Sequence, residues 1–447
     1  MGGGANPTVP VLPARFGATY IPAVPVLPTN PTAVTGPSVT GPAFYVAPSG
    51  DDANPGTEEA PWRSLQHAFD ATPAGGIAYM RGGTYQGASL TRSGVAVASY
   101  AGETAVVNGT VEIRGVIAAM IHGLVAQSAT ETFRAGFHIV DSQGVTLTSN
   151  VARGNSLGIF LENTTASALV GNTMTGNAYG LEVHGRTDGT TVSGNTITQN
   201  NGYLDPGRSA GGVNFYRTSG GITFAGNTVS HNREVALEIY GASDLLISGN
   251  VLTGSNDLIE TGTESGWSCN NLRVIHNLGY NSGTTEPHES GFYLRCASNS
   301  LVAHNTLVGL DRFAFGLMSG GPFGGSIENL RIVNNIAAYG RPYSLDSCLP
   351  NSVTIDYNLT QPTAGPLNGD AVAWVACQST QAHSIEELRA MTGYDVNGAL
   401  ADPRFVNVAA GDYGLGADSP AIDAALTLSG INDGYVGSAP DTGRWER

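Results

Sequence analysis

Nine asparagine-centred turns recur through the middle of this chain, and their spacing limits the folds available to it more than any other feature. The intervals between them are 22, 23, 32, 23, 27, 28, 30 and 23 residues, a period near 23 with insertions. The asparagines are Asn150, Asn172, Asn195, Asn227, Asn250, Asn277, Asn305, Asn335 and Asn358. Such a period is typical of a solenoid, in which each repeat packs against its neighbours.

The repeats are built from short strands. Apolar and polar residues alternate in segments such as Leu237-Glu238-Ile239-Tyr240, which predicts strands buried on one side. Asparagine tolerates left-handed backbone angles and bonds locally, so we expect it at sharp corners, with its side chains paired along the axis. The sequence therefore predicts an all-β chain wound as a single-stranded parallel β-helix, which the preference for right-handed crossovers makes right-handed.

Composition excludes several classes of function. The net charge of -16 argues against nucleic acid or an anionic membrane surface as partner. No apolar run approaches the ~20 residues of a membrane span. All 20 basic residues counted as Lys or Arg are arginines, so a lysine base is excluded from any mechanism.

The chain divides into three predicted parts. Residues 1–43 repeat a Pro-Val pattern, TVPVLP and AVPVLP, and are expected to be a flexible secretion linker or an extended anchor that docks onto a partner or another copy. The MGGG opening lacks the basic start and apolar stretch of a secretory signal, so we expect a removed signal or another export route. Residues 44–380 are the predicted β-helix, capped by a helix over Trp62 to Asp70. Residues 381–447 are the C-terminal cap, with a capping box at Ser384 opening a helix that stops near Gly393.

Two terminal motifs resemble a known family. The segment YVAPSGDDANPGTEEAPW, followed by a helix and a GGTY strand, and the tail DPRFVN…DYGLGADSPAIDAA are similar to the ends of secreted right-handed parallel β-helix proteins of the pectate-lyase-like superfamily. That resemblance implies an extracellular or cell-surface protein that acts on a polysaccharide or a cell-surface glycan. The superfamily includes lyases, glycosidases, epimerases, tailspikes and non-enzymatic surface proteins, so the resemblance specifies the fold better than the chemistry.

Four cysteines are spaced for bridges between coils. Cys269 and Cys296 are 27 residues apart, and Cys348 and Cys377 are 29 apart, each about one coil. Residues in register on neighbouring coils lie ~4.8 Å apart, close to what a disulfide needs. We expect two disulfides, which would place the protein outside the cytosol; free buried thiols are the alternative.

The strand after each corner follows the frame Gly, apolar, X, apolar, X, so its two X positions point outward and stack in two columns. The first column is predicted as His138, Phe160, Glu182, Asn214, Glu238 and Tyr293, and the second column as Val140, Glu162, His184, Tyr216, Tyr240 and Arg295. The register of Glu260 is left open. Carboxylates at such spacing raise each other's pKa. The alternative is that these side chains only decorate the sheet.

These columns suggest catalysis by Glu162, Glu182, His184, Glu238 and Arg295, with substrate contacts from His138, Phe160, Asn214, Tyr216, Tyr240 and Tyr293. Glu182 and Glu238 are two coils apart, roughly 9.6 Å between backbones, and Glu162 lies roughly 8 Å diagonally from Glu182. These separations favour an inverting glycosidase, which needs ~6.5–9.5 Å between its carboxyls.

Two other functions fit the same residues. A polysaccharide lyase would use His184, Tyr216 or Tyr240 as base, with Arg295 or a Ca²⁺ ion neutralising the uronate. The calcium ligands would be Glu162, Glu182 and Glu238. A non-catalytic glycan-binding spike, adhesin or surface filament would instead assemble through residues 1–43.

Overall fold

The computed structural model describes residues 39–202, 211–264, 266–280, 290–310, 312–320, 323–346, 349–362 and 371–447. Over these residues the chain winds as a right-handed parallel β-helix, and each central coil places one strand on each of three faces. Strands that neighbour each other on a face are parallel and come from successive coils. The predicted all-β coil is confirmed. Residues 1–38, most of the predicted Pro-Val segment, lie outside the described residues.

The three faces differ in strand length. The first face consists of Ala43–Val46, Ile77–Met80, Ala96–Ser99, Met120–His122, Thr146–Thr148, Ala168–Val170, Thr191–Ser193, Thr223–Ala225, Leu246–Ser248, Arg273–Ile275, Leu301–Ala303, Arg331–Val333 and Thr354–Asp356. The second face consists of Val125–Gln127, Val151–Arg153, Thr173–Thr175, Thr196–Thr198, Thr228–Ser230, Val251–Thr253, Leu278–Tyr280, Thr306–Val308, Ile336–Ala338, Leu359–Gln361 and Ala399–Leu400.

The third face, called the long face below, carries the longest strands. It consists of Gly83–Leu90, Ala105–Arg114, Ala135–Val140, Leu157–Glu162, Tyr179–Arg186, Gly211–Ser219, Val235–Tyr240, Asp257–Gly262, Ser290–Leu294, Phe313–Leu317, Tyr343–Leu345 and Ala373–Val375. Thr380–Ala382 pairs antiparallel with the last of these strands. In the tail, Phe405–Asn407 pairs antiparallel with Asp412–Leu415.

One continuous apolar core fills the coil. Leu181 and Val183, on strand Tyr179–Arg186, are fully buried within it. Each side chain of this size that leaves water contributes about 1.5–3 kcal/mol, and every coil repeats the contribution. Because Leu181 and Val183 point inward, their neighbours along the strand point outward from the long face.

A ladder of buried asparagine amides runs along the corner between the first and second faces. Each Nδ2 donates to the Oδ1 of the next ladder residue at 2.9–3.0 Å, from Asn150 to Asn358. The same oxygen accepts the backbone N–H of the preceding ladder residue, as Asn172 does from Asn150 at 2.9 Å. The predicted stacking is confirmed, and the ladder ends where Asn358 donates to Oδ1 of Asp395 at 3.1 Å.

A second ladder, which the sequence analysis missed, runs along the corner between the second face and the long face. Its members follow those of the first ladder by five residues, and are Asn155, Asn177, Asn200 and Asn232. Their amides are linked at 2.9–3.1 Å. The spacing of 22, 23 and 32 residues repeats that of the first ladder and was a readable signal.

The left-handed backbone angle at the first corner belongs to the residue before each ladder asparagine, so its assignment to asparagine was wrong. Ser149 has φ 55°, Gly171 has φ 64° and His276 has φ 55°. The asparagine side chain must point inward to reach its neighbours on adjacent coils, so the residue before it makes the bend.

The N-terminal cap is the helix Leu65–Ala71. It begins after Ser64, whose side chain accepts the N–H of His67 at 3.1 Å, and it buries Leu65 and Phe69. The predicted cap is confirmed, although the helix starts three residues after the expected Trp62.

The C-terminal helix Ile385–Thr392 begins at the predicted capping box. Glu387 N–H donates to Oγ of Ser384 at 3.1 Å, and Oε2 of Glu387 accepts the N–H of His383 at 2.7 Å. The helix ends at Gly393, with φ 75°, where the sequence predicted its end. None of the helices in the described ranges is long and apolar enough to cross a membrane.

The first predicted disulfide is not formed. Cys269 and Cys296 are free and buried, with Sγ of Cys296 2.5 Å from the backbone nitrogen of Cys269. The Cys269 thiol instead donates to the carbonyl oxygen of Gly262 at 3.3 Å. Adjacent coils thus bring the cysteines together as predicted, but the thiol hydrogen bonds to the backbone. Cys348 and the side chain of Cys377 lie outside the described residues.

Candidate functional site

Strand pairing on the long face places the predicted side chains in two columns. In the first column the register pairs His138 with Phe160, Phe160 with Glu182, Glu182 with Asn214 and Asn214 with Glu238. The second column runs through Val140, Glu162, His184, Tyr216 and Tyr240. The structure therefore brings these residues onto one surface, spread over successive coils.

The open register at Glu260 is resolved. Glu260 pairs with Glu238 on one side and Tyr293 on the other, so it belongs to the first column. Glu112 extends the same column at its N-terminal end, where it pairs with His138. The segment Val111 to Arg114 follows the apolar, X, apolar, X pattern of the other strands, which was the signal that could have found Glu112.

At the N-terminal end of the columns, His138 lies between two carboxylates. Its Nε2 is 3.5 Å from Oε2 of Glu162, and its Nδ1 is 3.9 Å from Oε1 of Glu112. Its ring stacks on Phe160 at 4.8 Å, with 5° between the planes. Burial lowers the pKa of His138, and the two carboxylates oppose that effect only in part. Glu162 thus forms a carboxylate–imidazole contact with His138 at this end of the columns.

At the centre, Glu182 and His184 form a tight pair. Nε2 of His184 lies 2.7 Å from Oε1 of Glu182, which also accepts from the Asn214 amide at 3.3 Å. Glu182 is 1% exposed, whereas His184 is partly exposed. The imidazole lies between the rings of Phe160 at 4.9 Å and Tyr216 at 5.1 Å. A buried carboxylate that orients an accessible imidazole is an arrangement suited to moving a proton.

Glu238, two coils further on, is a buried carboxyl held by a tyrosine that the sequence analysis missed. The hydroxyl of Tyr179 donates to Oε2 of Glu238 at 3.0 Å, across the intervening Gly211. A Cβ at Gly211 would stand 2.8 Å from Cε1 of Tyr179, so only glycine leaves room for that ring. No local sequence pattern signals a contact that skips a coil.

Burial raises the pKa of Glu238 to about 8. The Tyr179 hydrogen bond lowers that pKa, while the charges of Glu260 and Glu182 raise it further. The carboxyl therefore carries its proton at neutral pH, as a general acid must.

Arg295 and Glu260 form an ion pair at the C-terminal end of the columns. Nη2 of Arg295 lies 2.7 Å from Oε1 of Glu260, and the guanidinium stacks over Tyr293 at 4.6 Å. Burial raises the pKa of Glu260, against the effect of Arg295. Arg295 is therefore already paired, so the predicted role of neutralising a uronate by itself is not supported by its contacts.

The predicted calcium ligands do not converge. Glu162 contacts His138, Glu182 contacts His184, and Glu238 contacts Tyr179. Within the ranges that the structure covers, no group of three or more His, Cys, Asp or Glu side chains is placed to hold a metal ion. The calcium site proposed from these three residues is therefore not formed.

The columns form an open strip. The second column is partly exposed at His184, Tyr216 and Tyr240, whereas the first-column carboxyls of Glu182, Glu238 and Glu260 are buried. Two cavities of about 220 and 290 Å³ are lined by the C-terminal tail and by the last coil of the first face. Neither is lined by a residue of the columns, so a ligand of this site would lie along the long face.

Two family models match the chain. The model described as a periplasmic copper-binding protein (NosD) matches residues 81–263, and the model of a right-handed β-helix region matches residues 210–365. Uncharacterized protein YwoF of Bacillus subtilis (strain 168) is 26% identical over 448 residues, covering 86% of this chain and 92% of that protein. Pectate lyase PEL9 of Emericella nidulans is 41% identical over 81 residues. This match covers 16% of this chain and only 20% of the length of PEL9.

Two solved structures share the coil. Pectate lyase Pel9A superposes with a TM-score of 0.60 at 18% identity, covering 92% of this chain and 98% of that one. XylC in complex with xylose gives a TM-score of 0.54 at 10% identity, covering 81% and 87%. Together with the terminal motifs and the stacked coils, these matches show that the chain is a right-handed parallel β-helix protein of the pectate-lyase-like fold.

Proposed function

We propose that this protein is an extracellular polysaccharide-cleaving enzyme, and that it is a glycoside hydrolase. The observation that carries the proposal is Glu238, a buried carboxyl that holds its proton near neutral pH and shares a column with Glu182, the partner of His184. A protonated carboxyl and a second carboxylate–imidazole pair on the same surface supply the acid and the base that cleavage of a glycosidic bond requires.

Glu238 is the proposed acid. Its pKa of about 8 leaves it protonated at neutral pH, so it can donate to the leaving glycosidic oxygen. Tyr179 fixes the orientation of the carboxyl through Oε2, which leaves the other carboxyl oxygen to face the substrate.

The Glu182–His184 pair is the proposed base. Glu182 orients the imidazole at 2.7 Å, and His184 takes a proton from the attacking water. Glu182 and Glu238 are separated by Asn214 in the column, roughly 9.6 Å between backbones. That separation is far from the ~5–5.5 Å of retaining enzymes and closer to the ~6.5–9.5 Å of inverting ones, so it favours inversion.

The similar proteins support a carbohydrate ligand. PEL9 and Pel9A are named as pectate lyases, and the structure of XylC is a complex with xylose. Elimination is the second candidate, because a carboxylate-oriented His184 would also serve as the base of a lyase. Hydrolysis remains favoured over elimination, because Arg295, the cation that a lyase would need to neutralise the uronate, is paired with Glu260.

A panel of polysaccharides tests the proposal. The unmodified chain should release reducing ends, without the ultraviolet absorbance of an unsaturated product. Glu182→Gln and Glu238→Gln should each lose most activity while folding normally, whereas the control Glu112→Gln, at the N-terminal end of the first column, should keep most of it. Unsaturated products would establish a lyase instead. Full activity in both central variants would remove these residues from the mechanism, and binding without cleavage would favour a glycan-binding surface protein.

A further inference from the structure

Two exposed aromatic side chains, Trp267 and Phe323, stand at the edge of the columns. Trp267 is 43% exposed and Phe323 is 42% exposed, and neither belongs to a strand of the long face. Large aromatic rings exposed beside a polar strip indicate a binding surface. The flat apolar face of such a ring is suited to stacking against a sugar ring.

Phe323 packs against Tyr240, and Trp267 lies beside Gly241, the next residue along the chain. The Cβ of Trp267 covers Gly241, where an added Cβ would stand only 2.4 Å away. The Phe323 ring meets the ring of Tyr240 edge-on, at 5.8 Å and 86°, and its Cβ covers Gly262. The rings of Tyr240, Phe323 and Trp267, which come from neighbouring positions at this edge of the columns, are called the aromatic wall below.

The aromatic wall adjoins the proposed acid. Tyr240 and Glu238 are two residues apart on strand Val235–Tyr240 and point to the same side, about 7 Å apart along the strand. A sugar ring that stacks on the wall would therefore place its glycosidic oxygen near Glu238.

The charges beside the wall are balanced. Nη2 of Arg217 lies 3.1 Å from Oε1 of Glu264, and Nη2 of Arg295 lies 2.7 Å from Oε1 of Glu260. Each pair offers hydrogen-bonding groups to hydroxyls without adding positive charge, and the chain carries a net charge of -16. This setting favours an uncharged sugar over a uronate, because an added carboxylate would have to compete with Glu264 or Glu260.

We propose that the aromatic wall binds a neutral pyranose unit next to Glu238, which makes a neutral polysaccharide the substrate class. The inference rests on the proposed function for the role of Glu238, but binding at the wall needs no cleavage.

Affinity gel electrophoresis of the full chain carrying Glu238→Gln tests this proposal. Five gels are run, each with one polysaccharide. Three contain a neutral polymer (glucan, xylan or mannan), and two contain an acidic one (polygalacturonate or alginate). We expect retardation by a neutral polysaccharide, and about tenfold weaker binding when Trp267→Ala or Phe323→Ala is added. The matched control Tyr435→Ala, a ring 37% exposed in the C-terminal tail, should leave binding unchanged.

The proposal is overturned if only the acidic polymers retard the protein, if none of the five does, or if both wall variants bind as tightly as their parent. Urea unfolding confirms that the exposed substitutions leave the fold intact. Cleavage is measured separately on chains with and without Glu238→Gln. Full cleavage by Glu238→Gln would refute the role of Glu238 as the acid, and no cleavage by the unmodified chain would refute the proposed function; either would leave the result on the wall standing.

Discussion

Replacing Glu238 by glutamine should change how the stability of the protein depends on pH. The carboxyl is 8% exposed, and burial raises its pKa from 4.5 to about 8. Because the folded pKa lies above the unfolded one, the folded state binds the proton more tightly. The stability that this proton contributes is complete below about pH 4.5 and is lost as the pH rises to about 8.

The magnitude follows from the two pKa values. A rise from 4.5 to about 8 corresponds to at most about 5 kcal/mol, and relaxation around the charge reduces it to about 3–5 kcal/mol. Glutamine keeps an oxygen that can accept from Tyr179 but does not titrate. As the pH rises from about 4 to about 9, the unmodified protein should lose this stability and Glu238→Gln should not. The difference in unfolding free energy between the two proteins should therefore change by about 3–5 kcal/mol in favour of the variant.

Urea unfolding, followed by tryptophan fluorescence across this pH range, measures the difference. The other titrating groups are common to both proteins, so subtracting the two curves isolates the carboxyl. Parallel curves for the two proteins would show that Glu238 is ionised in the fold at neutral pH, and its role as acid would have to be abandoned.

Three further predictions concern the same coils. Tyr179→Phe removes the hydrogen bond that lowers the pKa of Glu238, so the alkaline limb of the pH–activity profile should move to higher pH; an unmoved limb would exclude Tyr179 from tuning the acid. Gly211→Ala should displace the Tyr179 ring, which would lie 2.8 Å from the new Cβ, and lower kcat by about tenfold or more; unchanged kcat would contradict the contact. Asn227→Ala breaks four hydrogen bonds of the ladder at 2.9–3.0 Å and should cost about 2–4 kcal/mol of unfolding free energy, whereas the exposed Asn351→Ala should cost less than about 1 kcal/mol; equal costs in urea unfolding would refute the ladder's role.

The columns could be predicted because, in a coiled chain, residues one repeat apart in the sequence become neighbours on adjacent strands. Glycine followed by alternating apolar residues fixes which side chains point outward, and the asparagine spacing fixes which coil each strand belongs to. Glu182, Asn214 and Glu238 were placed in this way, and strand pairing puts them in the expected order.

The other contacts of the site could not be predicted from the repeat period, because they depend on single residues that do not recur in each coil. Tyr179 reaches Glu238 only because Gly211 between them lacks a side chain, and Trp267 comes from a segment outside the regular strands. Cysteine spacing correctly predicted that Cys269 and Cys296 are neighbours, but it could not predict that the Cys269 thiol donates to a backbone carbonyl.

The first asparagine ladder keeps the distance between adjacent coils constant, whatever the number of residues in each coil. Intervals between ladder residues range from 22 to 32 residues, yet every link measures 2.9–3.0 Å, so extra residues are absorbed sideways. Duplicating one whole repeat, with its asparagine, should therefore lengthen the molecule by about 4.8 Å and extend each column by one side chain. Evolution can thus lengthen or shorten the strip in fixed steps, and alter its edges by loop insertion, without redesigning the core.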